Sequence, residues 1–447
     1  MTKHLRALHA SALALIFTLA GCLPIAAFAG IASQPQLAAY ATYDDKRRLR
    51  LLIDLVRSGQ HDLADELLHT QPFTGPFAGN RALFVEGMIL RAKGDRQAAV
   101  RNYRTALSRD PSLTLVRLEL AQTLSELGED DGAKHHLELL MSAAPSAEHA
   151  RSLRSFVDAI DARRPWRANA YVSVAPSTNV YGGTTNDTYY WNGIPFEFQG
   201  QKSGVGLAGG LNGAYVKRFG PRLSGIAAGG IDARKYEDAD FDTAVVSQSG
   251  EIRLENPHGY VGIGATAWEQ LRGDGSENFS FGPRLSGLHR FTPALIARGS
   301  LSADQRDYEN DNRDGFHVTA EGRLTGIIDP TLTVYGLGAF EYEKTELEST
   351  DYLAETLGLG VYREFSHALT FGGEVSLRHE GYAGDYSILG EPREDWRGNL
   401  TVNLTKRDFT VFGYAPVVEY TYTRNLSNVP FFEFDAHGLD LRLTKAF

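Results

Sequence analysis

From residue 166 to residue 447 the chain alternates apolar and polar residues in long segments separated by turn residues, and this rhythm limits the fold more than any other feature. Phe316, Val318, Ala320, Gly322, Leu324, Gly326 and Ile328 alternate with His317, Thr319, Glu321, Arg323 and Thr325. One face is therefore apolar and small, and the other carries charge. Leu369 to Arg378 and Trp396 to Thr405 follow the same pattern. Period two is the side-chain period of a strand. Fourteen such segments can be read, near 167–177, 204–219, 222–235, 242–256, 259–272, 278–291, 294–308, 315–328, 331–345, 352–365, 368–382, 396–406, 409–424 and 434–447. Most span 11 to 16 residues, against about 5–6 in globular strands. They suit a tilted membrane-crossing strand of about 9–11 residues with a protruding end.

The connections alternate in kind. Tight turns fall at Gly220-Pro221, Pro257-His258, Thr292-Pro293, Asp329-Pro330, Ser366-His367 and Arg407-Asp408, each after an even-numbered strand. Longer polar loops fall at 178–203, 236–241, 273–277, 309–314, 346–351, 383–395 and 425–433. Short turns on one side and longer loops on the other fit an antiparallel outer-membrane barrel with periplasmic turns. Closure follows from the backbone, because in hydrocarbon every N–H and C=O needs a partner that an open edge lacks. An even strand number returns the chain to the side it entered. On the last strand Leu439, Leu441 and Leu443 alternate with Asp440, Arg442 and Thr444, and Phe447 follows. This ending resembles the signal read by the barrel-assembly machinery. Lys445 interrupts the apolar series at the headgroup level, where a lysine can snorkel.

Composition breaks at Pro165-Trp166: residues 1–165 hold 9 glycines and 9 aromatics, whereas residues 166–447 hold 37 and 38. The first part is helical in period and repeats itself. Gly94, Ala99 and Pro111 recur 34 residues later as Gly128, Ala133 and Pro145, and a looser copy precedes them in Gly59, Ala64 and Pro76. This period reads as tetratricopeptide helix pairs. About three repeats span 43–145, and Ala147–Arg163 makes a capping helix, so that a helical domain covers 43–163 and the barrel 166–447. Gly87, Ala99 and Ala106 allow close helix approach, Tyr103 fills the gap, and Pro111 ends its helix. Such stacks present a concave surface to a partner. Aligned to the repeat, Phe84, Met88, Arg91, Leu118, Gln122 and Ser125 face that groove; the alternative is that Phe84 and Leu118 are core.

At the N-terminus, Lys3 and Arg6 precede an apolar stretch from Ala10 to Ile25, the pattern of a bacterial-type secretion signal over residues 1–29. Ala27-Phe28-Ala29 offers plain cleavage, while Leu19-Ala20-Gly21-Cys22 resembles a lipobox that would put lipid on Cys22. Both remain open. Cys22 is the single cysteine, which excludes disulfide frameworks and multi-thiolate zinc sites. A net charge of −10 argues against nucleic-acid binding. No apolar run of about 18 residues follows residue 29, which excludes helical spans but not strands.

No G-x-S-x-G elbow, H-E-x-x-H helix or Walker-type phosphate loop occurs, so neither catalysis nor a cofactor or metal is expected. His61, His69, His135 and His136 are placed on solvated helix faces, and His317, His379 and His437 have no partner set by spacing. The polar strand face is more informative. Arg298, Asp304, Arg306, Glu321, Arg323, Glu374, Arg378, Arg397, Asp440 and Arg442 fall on it, implying a wet channel or a salt-bridged interior.

Tetratricopeptide repeats followed by a 14-strand barrel with a terminal phenylalanine resemble the Slam family, the surface lipoprotein assembly modulators of type XI secretion. The junction carries the likeness most clearly, in Arg164-Pro165-Trp166-Arg167, Ala170-Tyr171-Val172-Ser173 and Ser177-Thr178-Asn179-Val180. The brief repeat region and the lipobox-like stretch depart from the family pattern. The resemblance implies export of a specific lipoprotein or soluble effector from periplasm to cell surface, through the lumen or along the barrel wall. Its groove would hold the client or a periplasmic chaperone, and its bilayer would be the outer membrane. Clients of the family often bind host metal- or haem-carrying proteins. Rival readings are a polysaccharide exporter of the repeat-plus-barrel type, usually with more repeats, and a porin-like channel.

Overall fold

The computed structural model describes residues 34–186, 188–191, 194–197, 200–273, 275–309, 313–386, 390–409 and 414–444. The secretion signal with both of its processing readings, Lys445 and Phe447 lie outside the described residues. The chain divides into two compact units, one of helices up to Ile160 and one of strands from Asp161 onward.

The helical unit contains α1 (Gln34–Ala41), α2 (Asp45–Arg57), α3 (His61–Thr70), α4 (Ala78–Ala92), α5 (Arg96–Arg109), α6 (Thr114–Leu127), α7 (Asp130–Ser142) and α8 (Ala147–Arg163). Helix α1 was not foreseen from the sequence; the other seven form the three pairs and the closing helix of the repeat. Asp44 and Asp95 cap α2 and α5 by accepting the N–H of Arg47 and Ala98 at 2.7 and 3.0 Å. The repeated glycines have a backbone reason. Gly59, Gly94 and Gly128 end the first helix of each pair with φ of +84°, +94° and +79°, the left-handed region where a side chain is strained. Ala64, Ala99 and Ala133 are fully buried five residues later, where the second helix of each pair meets the first. A Cβ added at Gly87 would lie 2.4 Å from the Tyr103 ring, so the small residue and the ring require one another. Leu52, Leu67, Val85, Leu120, Leu124 and Leu137 complete one continuous apolar core.

The second unit is a closed antiparallel barrel. Its strands are β1 (Trp166–Ser177), β4 (Gly204–Arg218), β5 (Leu223–Lys235), β6 (Thr243–Asn256), β7 (Gly259–Arg272), β8 (Gly275–Thr292), β9 (Leu295–Tyr308), β10 (Gly315–Asp329), β11 (Leu332–Thr345), β12 (Tyr352–Glu364), β13 (Leu369–Tyr386), β14 (Glu391–Lys406), β15 (Ala415–Ser427) and β16 (Phe434–Thr444). Each pairs with its neighbours in sequence, and β1 meets both β4 and β16. A short hairpin, β2 (Thr188–Trp191) with β3 (Ile194–Glu197), interrupts the first loop and was missed by the sequence reading.

Three boundaries also differ. β8 already begins at Gly275, inside the expected loop 273–277. β13 and β14 run to Tyr386 and back from Glu391, lengthening that hairpin into the expected loop. β15 starts at Ala415 rather than at 409. Among the described residues, three turns on the long-loop side share one device. Asp242, Asp314 and Asp351 each accept the backbone N–H of the residue six places earlier, Tyr236, Tyr308 and Thr345, at 2.7 Å.

Candidate functional site

In a ladder, residues directly opposite one another share a face. Glu321 stands opposite Ser300 and Ala339, and Arg378 opposite Thr356 and Arg397. The charged face is the inner one, because its ion pairs join strands that are not neighbours. Arg306 on β9 bonds Glu343 on β11 at 2.7 Å, Arg378 on β13 bonds Glu341 on β11 at 2.5 Å, and Arg323 on β10 bonds Glu374 on β13 at 3.3 Å. Only a concave wall brings such strands within reach. The opposite face carries exposed aliphatics such as Leu357 (74% exposed), Leu359 and Val261, as hydrocarbon requires.

Charge inside this barrel is matched with care. Arg306 also donates to Ser280, and the Tyr308 hydroxyl donates to the same Glu343 at 3.0 Å. Arg378 donates to Glu380 at 2.9 Å besides Glu341. The Tyr335 hydroxyl donates to Glu374 at 2.7 Å, Ser300 to Glu321 at 2.5 Å, and Arg442 to Glu419 at 3.0 Å. Arg397 donates to Asn425 at 3.2 Å, and Asp440 accepts from Ser173 at 3.1 Å. Arg298, with Glu251, Arg253, Arg284, Glu321 and Arg323, lines a cavity of about 600 Å³. His317 sits 3.8 Å from Asp304 and 4.0 Å from Glu341, partners that spacing along the sequence did not reveal.

The helical unit holds a second charged network. Arg91 on α4 donates to Glu119, Gln122 and Glu126 on α6 at 2.6, 3.0 and 2.7 Å. Arg96 reaches Glu126 at 2.8 Å, and Arg57 approaches Glu119 at 3.8 Å. Burial lowers the Arg91 guanidinium's affinity for its proton, but the bond to Glu126 and the nearby Glu119 outweigh it and hold the value above the ordinary one. Burial likewise raises Glu126, yet the Arg91 and Arg96 bonds bring its carboxyl below the usual carboxylate range.

Against protein-family models, residues 166–447 match "Surface lipoprotein assembly modifier" and residues 81–137 match the N-terminal TPR repeats of the same proteins. The chain belongs to the surface lipoprotein assembly modifier family. Family and closed barrel place it in the outer membrane, with the repeats in the periplasm. Surface lipoprotein assembly modifier 1 of Haemophilus influenzae is 19% identical over 81% of this chain and 77% of its own length. The modifier of Pasteurella multocida is 21% identical over 81% and 76%. Among solved structures, the outer-membrane protein OmpT of Vibrio cholerae covers 63% of this chain and 99% of its own at 8% identity, with a TM-score of 0.34. A likeness that distant decides nothing about function. Neither this modifier family nor its barrel is enzymatic in kind.

The residues singled out from sequence land unevenly on this family member. Of the six groove positions, Phe84 and Met88 lie in the apolar core, each 5% exposed, and Ser125 is buried too. They face the neighbouring helices rather than an open surface, because both sides of a repeat helix are apolar and periodicity alone does not separate them. Arg91, Leu118 and Gln122 are half-buried, and Arg91 ties the first and last of these helices together. His136 is buried with its Nδ1 3.2 Å from Arg117, correcting the expectation of a solvated face. Leu441 and Leu443 are exposed on the outer face of β16, with Leu439 two residues before them. The inner-wall arginines were readable from parity, but their partners Glu341, Glu343, Glu380 and Glu419 were not selected, although they share that parity.

Proposed function

We propose that this protein promotes the passage of a particular lipoprotein, or of a soluble effector, from periplasm to cell surface, with its helical repeats engaging the client or its chaperone. The observation that carries the reading is the family match over both parts of one chain, the barrel at 166–447 and the repeats at 81–137. The relatives are named for surface lipoprotein assembly, and that is the role taken over here. Arg91, Leu118 and Gln122, which retain solvent access on α4 and α6, are the proposed client contacts, with Phe84, Met88 and Ser125 supporting them from the core. Leu439, Leu441 and Leu443, followed by Phe447, are the proposed signal to the barrel-assembly machinery. A wall of matched ion pairs favours a guarded passage over a freely permeable pore.

The test is co-expression with an epitope-tagged lipoprotein encoded beside this gene, followed by protease shaving of intact cells. The expected outcome is cleavage of the tag only when the full protein is present. A tag equally protected with and without it would remove the export reading. Replacing Leu118 by Glu would then separate engagement from passage, because it should lower surface delivery while leaving barrel assembly, read as heat-modifiable mobility, intact.

A further inference from the structure

The lumen cavity between β5 and β11 is not charge-matched. Among the described residues its wall carries the carboxylates Glu251 and Glu321 and the guanidinium groups Arg253, Arg284, Arg298 and Arg323. Arg253 is bound to Glu251 on its own strand, and Arg284 on β8 lies 3.5 Å from Glu321 on β10. Arg323 reaches outside the cavity to Glu374 on β13, at 3.3 Å. Those three pairs use all three carboxylates. Arg298, the fourth residue of β9, is exposed to the lumen and has no carboxylate within ion-pair distance among the described residues.

Register sharpens the excess. Arg298 stands directly opposite Arg323 across the β9–β10 ladder. Side chains so placed are about 4.5–5.5 Å apart at Cβ, and like charges there repel. The barrel has a second such pair, Arg378 opposite Arg397. There two carboxylates answer the charge, Glu341 at 2.5 Å and Glu380 at 2.9 Å from Arg378. At Arg298 and Arg323 one carboxylate answers it, and only from the Arg323 side. This pair is one negative charge short.

The surroundings suit an anion with more than one oxygen. Arg323 lies over the Tyr335 ring, 3.9 Å from its centroid, and Arg253 lies over the Tyr260 ring at 4.0 Å. A ring face fixes the plane of a guanidinium and leaves its N–H edge for other partners. That edge is a fork, which matches two oxygens of one carboxylate or phosphate and gains less from a single-centre halide. The small inward residues Ala228, Ser249, Ser286, Ser300 and Ala339 leave about 600 Å³ beside the arginines. Hydrocarbon outside the wall confines their field to the cavity and raises the local concentration of anions.

We propose that Arg298 and Arg323 together hold an oxyanion, a carboxylate or phosphate group, in this cavity, with Arg253 and Arg284 adding to the field. The group belongs to a free solute or to an acidic side chain of a passing polypeptide. The site does not depend on the export reading.

Full-length protein purified in a neutral detergent is dialysed to equilibrium against radiolabelled inorganic phosphate at low ionic strength. Saturable binding is expected, weakened about tenfold or more in Arg298→Gln. Arg397→Gln should bind as wild type does, because Arg397 lies outside the cavity and donates to Asn425. Phosphate should raise the temperature of heat-modifiable mobility of wild type and leave that of R298Q unmoved. Without phosphate, R298Q should be at least as stable as wild type, because the opposed pair is relieved. An R298Q barrel that melts earlier than wild type in phosphate-free buffer would overturn the unanswered charge. Wild type without saturable binding, or R298Q binding as tightly as wild type, would overturn the site. Equal loss in R397Q would overturn it by assigning the binding to the general field of the lumen. Acetate and a peptide of alternating glycine and glutamate then compete for the bound phosphate. Both sources uphold the site: a peptide about tenfold more effective per carboxylate assigns the group to a polypeptide, and equal or better competition by acetate assigns it to a free solute. Displacement by neither would overturn the oxyanion chemistry.

Discussion

The two units of this chain solve burial in opposite directions. In the helical repeats Leu52, Leu67 and Leu124 are fully enclosed, and charges such as Glu126 lie toward solvent. In the barrel Leu357 and Leu359 are among the most exposed residues, while Arg306 and Glu343 are nearly enclosed. Water surrounds the first unit and hydrocarbon the second, so one preference, apolar groups away from water, produces two inverted arrangements. A residue's exposure therefore carries meaning only with its unit. Leu357 and Leu52 are both where the local solvent wants them.

The largest test of that inversion is the inner ion pair. Glu343→Ala should destabilise the barrel by about 3–5 kcal/mol because it leaves Arg306 enclosed without its carboxylate, read as a lower temperature of heat-modifiable mobility. The double variant with both residues changed to Met should recover much of that loss. If the single variant were as stable as wild type, the lumen would be wet enough to solvate a lone cation and the contrast between the units would weaken.

Next comes leucine substitution in each unit. Leu52→Ala should cost about 2–5 kcal/mol in the repeats, whereas Leu357→Ala should cost far less and Leu357→Arg about 2–4 kcal/mol. Unfolding by denaturant, followed by helical and strand circular dichroism bands separately, distinguishes them. Equal costs for the two alanine variants would break the comparison.

Smaller effects sharpen it within the repeats. Gly87→Ala places a methyl against the Tyr103 ring and should lower stability by about 1–3 kcal/mol. Glu126 has a depressed pKa in the folded state, so its contribution is present above the ordinary carboxylate pKa of about 4.3 and is lost as pH falls through the lower folded value. Melting of the helical signal should thus drop as the solution is acidified below about pH 4, with a shallower drop in Glu126→Gln. Tyr103→Phe should be close to neutral, within about 0.5 kcal/mol, because the enclosed hydroxyl has no hydrogen-bond partner among the described residues.

Much of the architecture was legible because each unit writes its geometry at a fixed period. Gly59, Gly94 and Gly128 marked the repeat before their positive φ was known, since a left-handed residue recurs wherever the helix pair recurs. Strand parity places Arg306, Arg378 and Arg442 on one face; Arg306 and Arg378 bond carboxylates two strands away, and Arg442 bonds one on the adjacent strand. What escaped was what a period does not encode. Met88 looked like a groove residue, and Phe84 stood open between groove and core, because a repeat helix is apolar on two sides. The β2–β3 hairpin is too short to leave an alternation, and His317 meets Asp304 only through the register of neighbouring strands.

The carboxylate-closed turns carry a consequence of their own. Asp242 and Asp351 each also bind a lysine, Lys235 and Lys344, on the strand that leads into the turn, so the whole fastening lies within one stretch of chain. Each corner is also tied to the next hairpin, because the Asp242 and Asp351 carbonyls accept the N–H groups of Gly273 and Ala383 at 2.9 and 3.0 Å. The carboxylate closes its own turn while the carbonyl of the same residue holds the adjoining hairpin, so one aspartate serves both the corner and the ring. The residues between each strand end and its aspartate can therefore vary, whereas a change of the aspartate's position would loosen two hairpins at once.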